Sequence, residues 1–94
     1  MKDLNETRKK INELDEQMAK LFEARMKLCK DVAEFKKANS MPVLDKSRED
    51  AVINNNLKFI VDEELKPYYI NYIKSMLDIS KEYQRSLLTG LKIS

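Results

Sequence analysis

Residues 2–41 contain neither glycine nor proline, the two residues that most often punctuate a chain. Along them Leu4, Ile11, Met18, Arg25 and Val32 recur at one heptad position, and Leu14, Leu21, Leu28 and Phe35 at the other. A repeat of about 3.5 residues marks an amphipathic helix, and nothing in the stretch interrupts it. The pattern predicts one helix of about 36 residues, which at 1.5 Å per residue is ~54 Å long. Asn39, Ser40, Met41 and Pro42 end it, because proline biases the residue before it away from helical geometry.

The remaining segments are short beside such a rod. A second helix is expected from Asp45, a good N-cap, to about Ile60, with Val52, Ile53, Leu57 and Ile60 as its apolar stripe. The segment VDEEL then leads to Lys66-Pro67, where proline suits the first turn of a third helix. That helix carries Ile70, Ile73, Leu77, Leu87 and Leu88, and Gly90 is its natural stop. No segment alternates like a strand. The fold class is therefore all-α, with one long helix and two shorter ones in a single domain spanning residues 1–94. Helices of roughly 16 and 22 residues measure about 24 and 33 Å, so end to end they could flank the rod. They could not bury its seam all round. A long heptad helix with too few partners usually pairs with a second copy, which predicts an intertwined homodimer.

Composition narrows the chemistry. The chain has 18 basic and 16 acidic residues, and its longest basic run is Arg8-Lys9-Lys10, too little for a nucleic-acid footprint. No apolar stretch approaches the ~18 residues of a membrane span, and MKDLNETRKK lacks the apolar centre of a signal peptide. With one cysteine, Cys29, and no histidine, the sequence offers no internal disulfide, no ordinary zinc site and no His-based triad. A cytoplasmic protein working without metal, cofactor or covalent intermediate is expected.

The seams are most informative where they fail. Arg25 stands at a core heptad position between Met18 and Val32. On the third helix Ile73, Leu77, Ser80, Gln84 and Leu87 step by four, three, four and three, which puts Ser80 and Gln84 on the apolar face. Such groups can satisfy one another or set helix register, since an unpaired buried polar group costs a few kcal/mol. Three of them in so small a core point to an internal polar cavity. Lys36 lies 11 residues beyond Arg25, nearly three full turns, so both project from one face ~16 Å apart and could clasp a small anion. Arg8 lies 17 residues before Arg25, ~25 Å away and rotated by about 100°. It cannot reach that pocket within one chain, though in a crossed dimer the Arg8 end of one long helix can meet the Arg25 region of the other. In VLDKSRED, residues 43–50, Asp45 reads as a cap, while Arg48 and Glu49 read either as part of a solvated first turn or as side chains aimed at a ligand.

Taken in order, TRKKINELDEQMAKLFEARMKL, AEFKKAN, PVLDKSRED and ISKEYQRSLL resemble the all-helical (AroQ class) chorismate mutases over nearly the whole chain. The resemblance rests on Arg8 with Ile11 and Leu14-Asp15, the Arg25 region, Lys36, the run from Pro42 to Glu49, and Ser80 with Gln84. It implies three helices per chain in an interlocked dimer with two active sites. It also implies the Claisen rearrangement of chorismate to prephenate, which needs no nucleophile, metal or cofactor. On this resemblance Arg25 and the partner subunit's Arg8 would bind the substrate carboxylates, and Ser80 would hydrogen-bond one of them. Lys36 and Gln84 would donate to the ether oxygen. Glu49 would accept from the ring hydroxyl, helped by the backbone at Asp45, and Arg48 would line the pocket.

Some relatives carry Glu where Gln84 stands, a residue that must be protonated to donate. Lys81 stands where many relatives have an aliphatic residue, and either edges the pocket or points to solvent. No dehydratase, dehydrogenase or synthase domain is recognisable, so the free-standing form is expected. Two rivals are an isochorismate pyruvate-lyase of the same fold and a non-catalytic helical scaffold or regulatory dimer.

Overall fold

The computed structural model describes residues 3–89, which form three α-helices and one short 3-10 turn; among them there is no strand. Helix α1 runs Leu4–Ala38 as the expected rod. Asp3 caps its start, accepting from the Asn5 backbone N–H at 2.9 Å. Its end is tighter than a bare proline stop. Met41 N–H reaches the Lys36 carbonyl at 2.8 Å and Ser40 N–H the Lys37 carbonyl at 3.4 Å. This crossed pair is the Schellman arrangement, with Ser40 in the left-handed region at φ 53° where glycine is usual.

Helix α2 covers Lys46–Leu57, capped by Asp45, whose carboxylate accepts from the Arg48 N–H at 3.0 Å. It stops three residues short of Ile60. Asn54, Asn55 and Asn56 are weak helix formers, and the Asn56 amide donates to the Val52 carbonyl at 2.7 Å. Phe59 and Ile60 then close i→i+3 turns on Asn56 and Leu57 at 3.0 and 3.1 Å. Asp62 caps the 3-10 turn Glu63–Leu65, which feeds directly into α3, Lys66–Thr89. Pro67 sits in the first turn of α3, as expected. Gly90, the expected stop, lies outside the described residues.

The two shorter helices do not lie end to end along the rod. Helix α3 packs on both α1 and α2, and α1 and α2 do not pack on each other. Met18 and Phe22 lie beside Tyr72 and Met76, Arg25 meets Ser80, and Ala33 faces Leu87 and Leu88. The residue numbers rise together, so α1 and α3 run parallel. Against α2 they run oppositely: Glu49 meets Lys81, and Asn56 lies by Tyr69 and Tyr72. The short α2–α3 connection forces this reversal, so α2 doubles back on α3. The three helices form nearly one layer, 56 × 31 × 16 Å, with α3 in the middle.

Helix α3 therefore reaches α1 only from about Met18 onward, and the first four turns of α1 project free. The buried apolar core is small: Ala33, Val52, Ile73 and Leu77, with Ile53, Tyr69 and Met76 packed beside the last three. The heptad seam is not part of it. Leu14, Leu21, Leu28 and Phe35 are 56%, 68%, 65% and 61% exposed. Among the described residues no helix is long and apolar enough to cross a membrane.

Candidate active site

A single layer of three helices leaves a gutter over its middle member. There a cavity of about 150 Å³ is lined by Arg25, Cys29, Val32 and Lys36 of α1, Val43 and Asp45 of the α1–α2 connection, Arg48, Glu49 and Val52 of α2, and Leu77, Ser80, Lys81 and Gln84 of α3. The structure thus brings seven of the eight expected site residues together. The eighth, Arg8, is exposed on the free part of α1 and does not line the cavity.

The misplaced polar residues of the two seams meet across the α1–α3 contact. Arg25 Nη1 donates to Ser80 Oγ at 2.6 Å and to Cys29 Sγ at 3.6 Å, and Ser80 Oγ donates to the Met76 carbonyl at 2.9 Å. Ser80, 4% exposed, thereby spends its proton on the backbone and its lone pair on Arg25. It orients the guanidinium; donating to a ligand requires its hydroxyl to rotate. A guanidinium has five N–H donors in a planar fork, so Arg25 keeps several for an anion. Lys36 Nζ donates to the Val43 carbonyl at 2.7 Å, which ties the connection to α1 and leaves two ammonium protons.

Gln84 is buried, and its Oε1 has no hydrogen-bond partner among the described residues. An unmet buried acceptor costs about 1–3 kcal/mol. Rotating the amide by half a turn exchanges its oxygen and nitrogen without changing its shape, so the group can offer either. Arg48 is exposed at the rim, where it also borders an adjoining cavity of about 340 Å³ that contains Asn56, Tyr69 and Tyr72. Asp45 is exposed and committed to its cap.

Lys81 points into the cavity, not to solvent. Its Nζ lies 3.0 Å from Glu49 Oε2 and 3.3 Å from Asp78 Oδ1, and the Lys81 and Glu49 side chains are 18% and 17% exposed. The hydrogen bond to Glu49, the largest effect, holds its ammonium above the ordinary value of 10.5 against the opposing pull of burial. A signal for this position was present: Leu77, Lys81, Gln84 and Leu88 also step by four, three and four along α3. Of the two readings of Lys81 the pocket edge holds, whereas Cys29 and the Val43 carbonyl were missed, the first because one cysteine carries no pattern, the second because backbone groups are invisible in a sequence. In all, the cavity holds four cationic side chains against two carboxylates, an excess suited to a small dianion.

Comparison with known proteins gives the same direction. The family model described as chorismate mutase type II matches residues 7–85. A chorismate mutase from Methanocaldococcus jannaschii is 34% identical over 89 residues, covering 90% of this chain and 87% of that protein. No solved structure matches the chain at a comparable significance.

Proposed function

The chain belongs to the type II chorismate mutase family, an isomerase family that rearranges chorismate to prephenate, and we propose that the gutter over α3 is where this rearrangement occurs. What carries the proposal is the convergence of Arg25, Lys36, Arg48, Glu49, Ser80 and Gln84, drawn from all three helices, on one cavity. In the reaction the side-chain ether C–O bond breaks while a new C–C bond forms to the ring, through a cyclic shift of three electron pairs. No proton moves and no bond forms to the protein. The chain's tasks are to hold the flexible dianion in its compact, chair-like conformer and to stabilise charge at the ether oxygen.

Arg25, oriented by Ser80, binds one carboxylate through a guanidinium fork. Lys36, anchored on the Val43 carbonyl, turns its free protons to the ether oxygen, and Gln84 donates to the same atom through its amide nitrogen. Lys36 is anchored and Gln84 is buried before the charge develops, and a donor in place at that moment is worth most. Glu49 accepts from the ring hydroxyl, helped by the backbone at Asp45, and Arg48 closes the rim.

The working unit proposed is a cytoplasmic homodimer in which the partner subunit's Arg8 enters the site. Two quantities and the character of the exposed surface support it. The chain exposes 7954 Å², whereas a compact monomer of its 11.1 kDa exposes about 5,700 Å². Its radius of gyration is 16.6 Å, against about 12.4 Å for a compact chain of this length. The excess area is apolar where it matters, along the α1 seam, and its size suits a stable protein interface.

Incubating purified protein with chorismate tests the assignment. Loss of chorismate's ultraviolet absorbance without pyruvate release is expected, whereas pyruvate released from isochorismate in a parallel incubation, with chorismate left unchanged, would assign the lyase reaction instead. Arg25→Ala and Lys36→Ala should each lower kcat/KM by about 10²–10³-fold with the helical fold intact. Variants that keep full turnover would move the site elsewhere.

A further inference from the structure

Among the described residues the Lys81–Glu49 pair stands apart from the other ion pairs. Lys20–Glu16 and Lys27–Glu23 join residues one turn apart on α1, about three-quarters exposed, and such pairs contribute little. Lys81–Glu49 instead joins α3 to α2, is more than four-fifths buried, and forms part of the cavity wall. Removing a charge pair from water is unfavourable unless close partners return the loss, and here two carboxylates lie within 3.3 Å of one ammonium. Asp78, one turn before Lys81 on α3, holds the ammonium from the solvent side at 3.3 Å. Glu49 Oε2 receives it on the cavity side, and among the described residues nothing hydrogen-bonds Glu49 Oε1.

We propose that Lys81 is a positioning residue for Glu49, pinning one carboxylate oxygen so that the other stays presented to the ring hydroxyl of the substrate. The proposal rests on the assignment of that hydroxyl to Glu49. It also explains why Glu49 does not spoil its own site. Arg25, Lys36 and Arg48 line the same cavity, and an untethered carboxylate there would turn toward them and neutralise the charges that the substrate carboxylates need. With Lys81 as its counterion, Glu49 stays on the α2–α3 side. The cationic groups of α1 remain open to the dianion.

The test compares chorismate with an analogue in which hydrogen replaces the ring hydroxyl, each kcat/KM being divided by the uncatalysed rate of that compound. A hydrogen bond to a charged acceptor predicts that the wild type prefers chorismate by about 10–100-fold. Lys81→Met and Lys81→Gln, verified as helical by circular dichroism, should lose at least ten-fold on chorismate and almost nothing on the analogue. Lys81→Arg, which keeps a cation in reach of Glu49, should restore most of the preference. Equal losses on both substrates, or a preference that survives both neutral variants, would overturn the role of Lys81 while leaving Glu49 as the acceptor. A wild type that shows no preference would instead remove Glu49 from the hydroxyl, and the proposal with it.

Discussion

Gln84 is the residue whose chemistry most restricts how the site responds to pH. A primary amide does not titrate, so in the proposed mechanism its donation to the ether oxygen is the same at every pH near neutrality. Activity should stay nearly flat over about pH 6–9. Gln84→Glu makes the contrast: a carboxyl can donate only when protonated and repels the growing negative charge when ionised. Its kcat should fall about ten-fold per pH unit above the carboxyl's pKa, and a flat profile for that variant would place Gln84 away from the ether oxygen. Lys81 sets a second, more alkaline limit. Its folded-state pKa is raised above 10.5, chiefly by the hydrogen bond to Glu49. A raised pKa means that the folded chain holds this proton more tightly than the unfolded one. The stability it contributes is therefore fully present below about 10.5 and is lost as pH climbs through the raised value. Denaturant midpoints of wild type and Lys81→Met should differ by a constant amount through neutrality and converge only in strong alkali.

At the scale of elements, the ends of the helices decide where the site residues stand. The Schellman turn after α1 is what swings Val43 back under Lys36, and it requires a left-handed residue at position 40. Serine adopts that conformation against its side-chain sterics. Ser40→Gly should stabilise the fold by about 0.5–1 kcal/mol, the relief being partly offset by glycine's greater freedom when unfolded. Thermal unfolding reads this directly, and no gain would mean that Ser40 is not held left-handed. Asp45 does the converse for α2. Removing its cap by Asp45→Ala should cost about 1 kcal/mol of stability, since Arg48 N–H loses its partner. The third element, α3, passes its 24 residues through the middle of the layer and supplies the cavity floor.

At the scale of the whole molecule, the thin layer and the exposed seam belong to one physical fact. Three helices side by side can bury only the faces they turn to each other, and α1 turns most of its heptad seam away. The proposed second copy covers that seam and delivers the partner subunit's Arg8. Mixing Arg8→Ala with Arg25→Ala subunits should then recover about a quarter of wild-type sites if exchange is random, because one of the two sites in each mixed dimer keeps both arginines. Subunit exchange without recovery would rule out sites built from two chains. Leu21→Glu, at a seam residue 68% exposed in the single chain, should abolish association and activity together in sedimentation and turnover assays.

How much of this was legible in the sequence depended on range. The absence of glycine and proline before Pro42, the heptad period, the cap at Asp45 and the first-turn proline at 67 are local signals, and each element they indicate is present in the structure. Local propensity also explains the single early stop, at the asparagines of α2. The polar breaks at Arg25, Ser80 and Gln84 indicated a polar cavity because a helix period reveals which face a residue occupies. It does not reveal which other face will meet it. That α3 lies between α1 and α2, that Ser80 serves Arg25, and that Lys81 turns inward to Glu49 are consequences of packing between segments up to 55 residues apart. The sequence by itself therefore determined the helices and the polarity of their faces. Only the tertiary structure decided how those faces were paired, because desolvation and hydrogen-bond geometry act between elements and not along one.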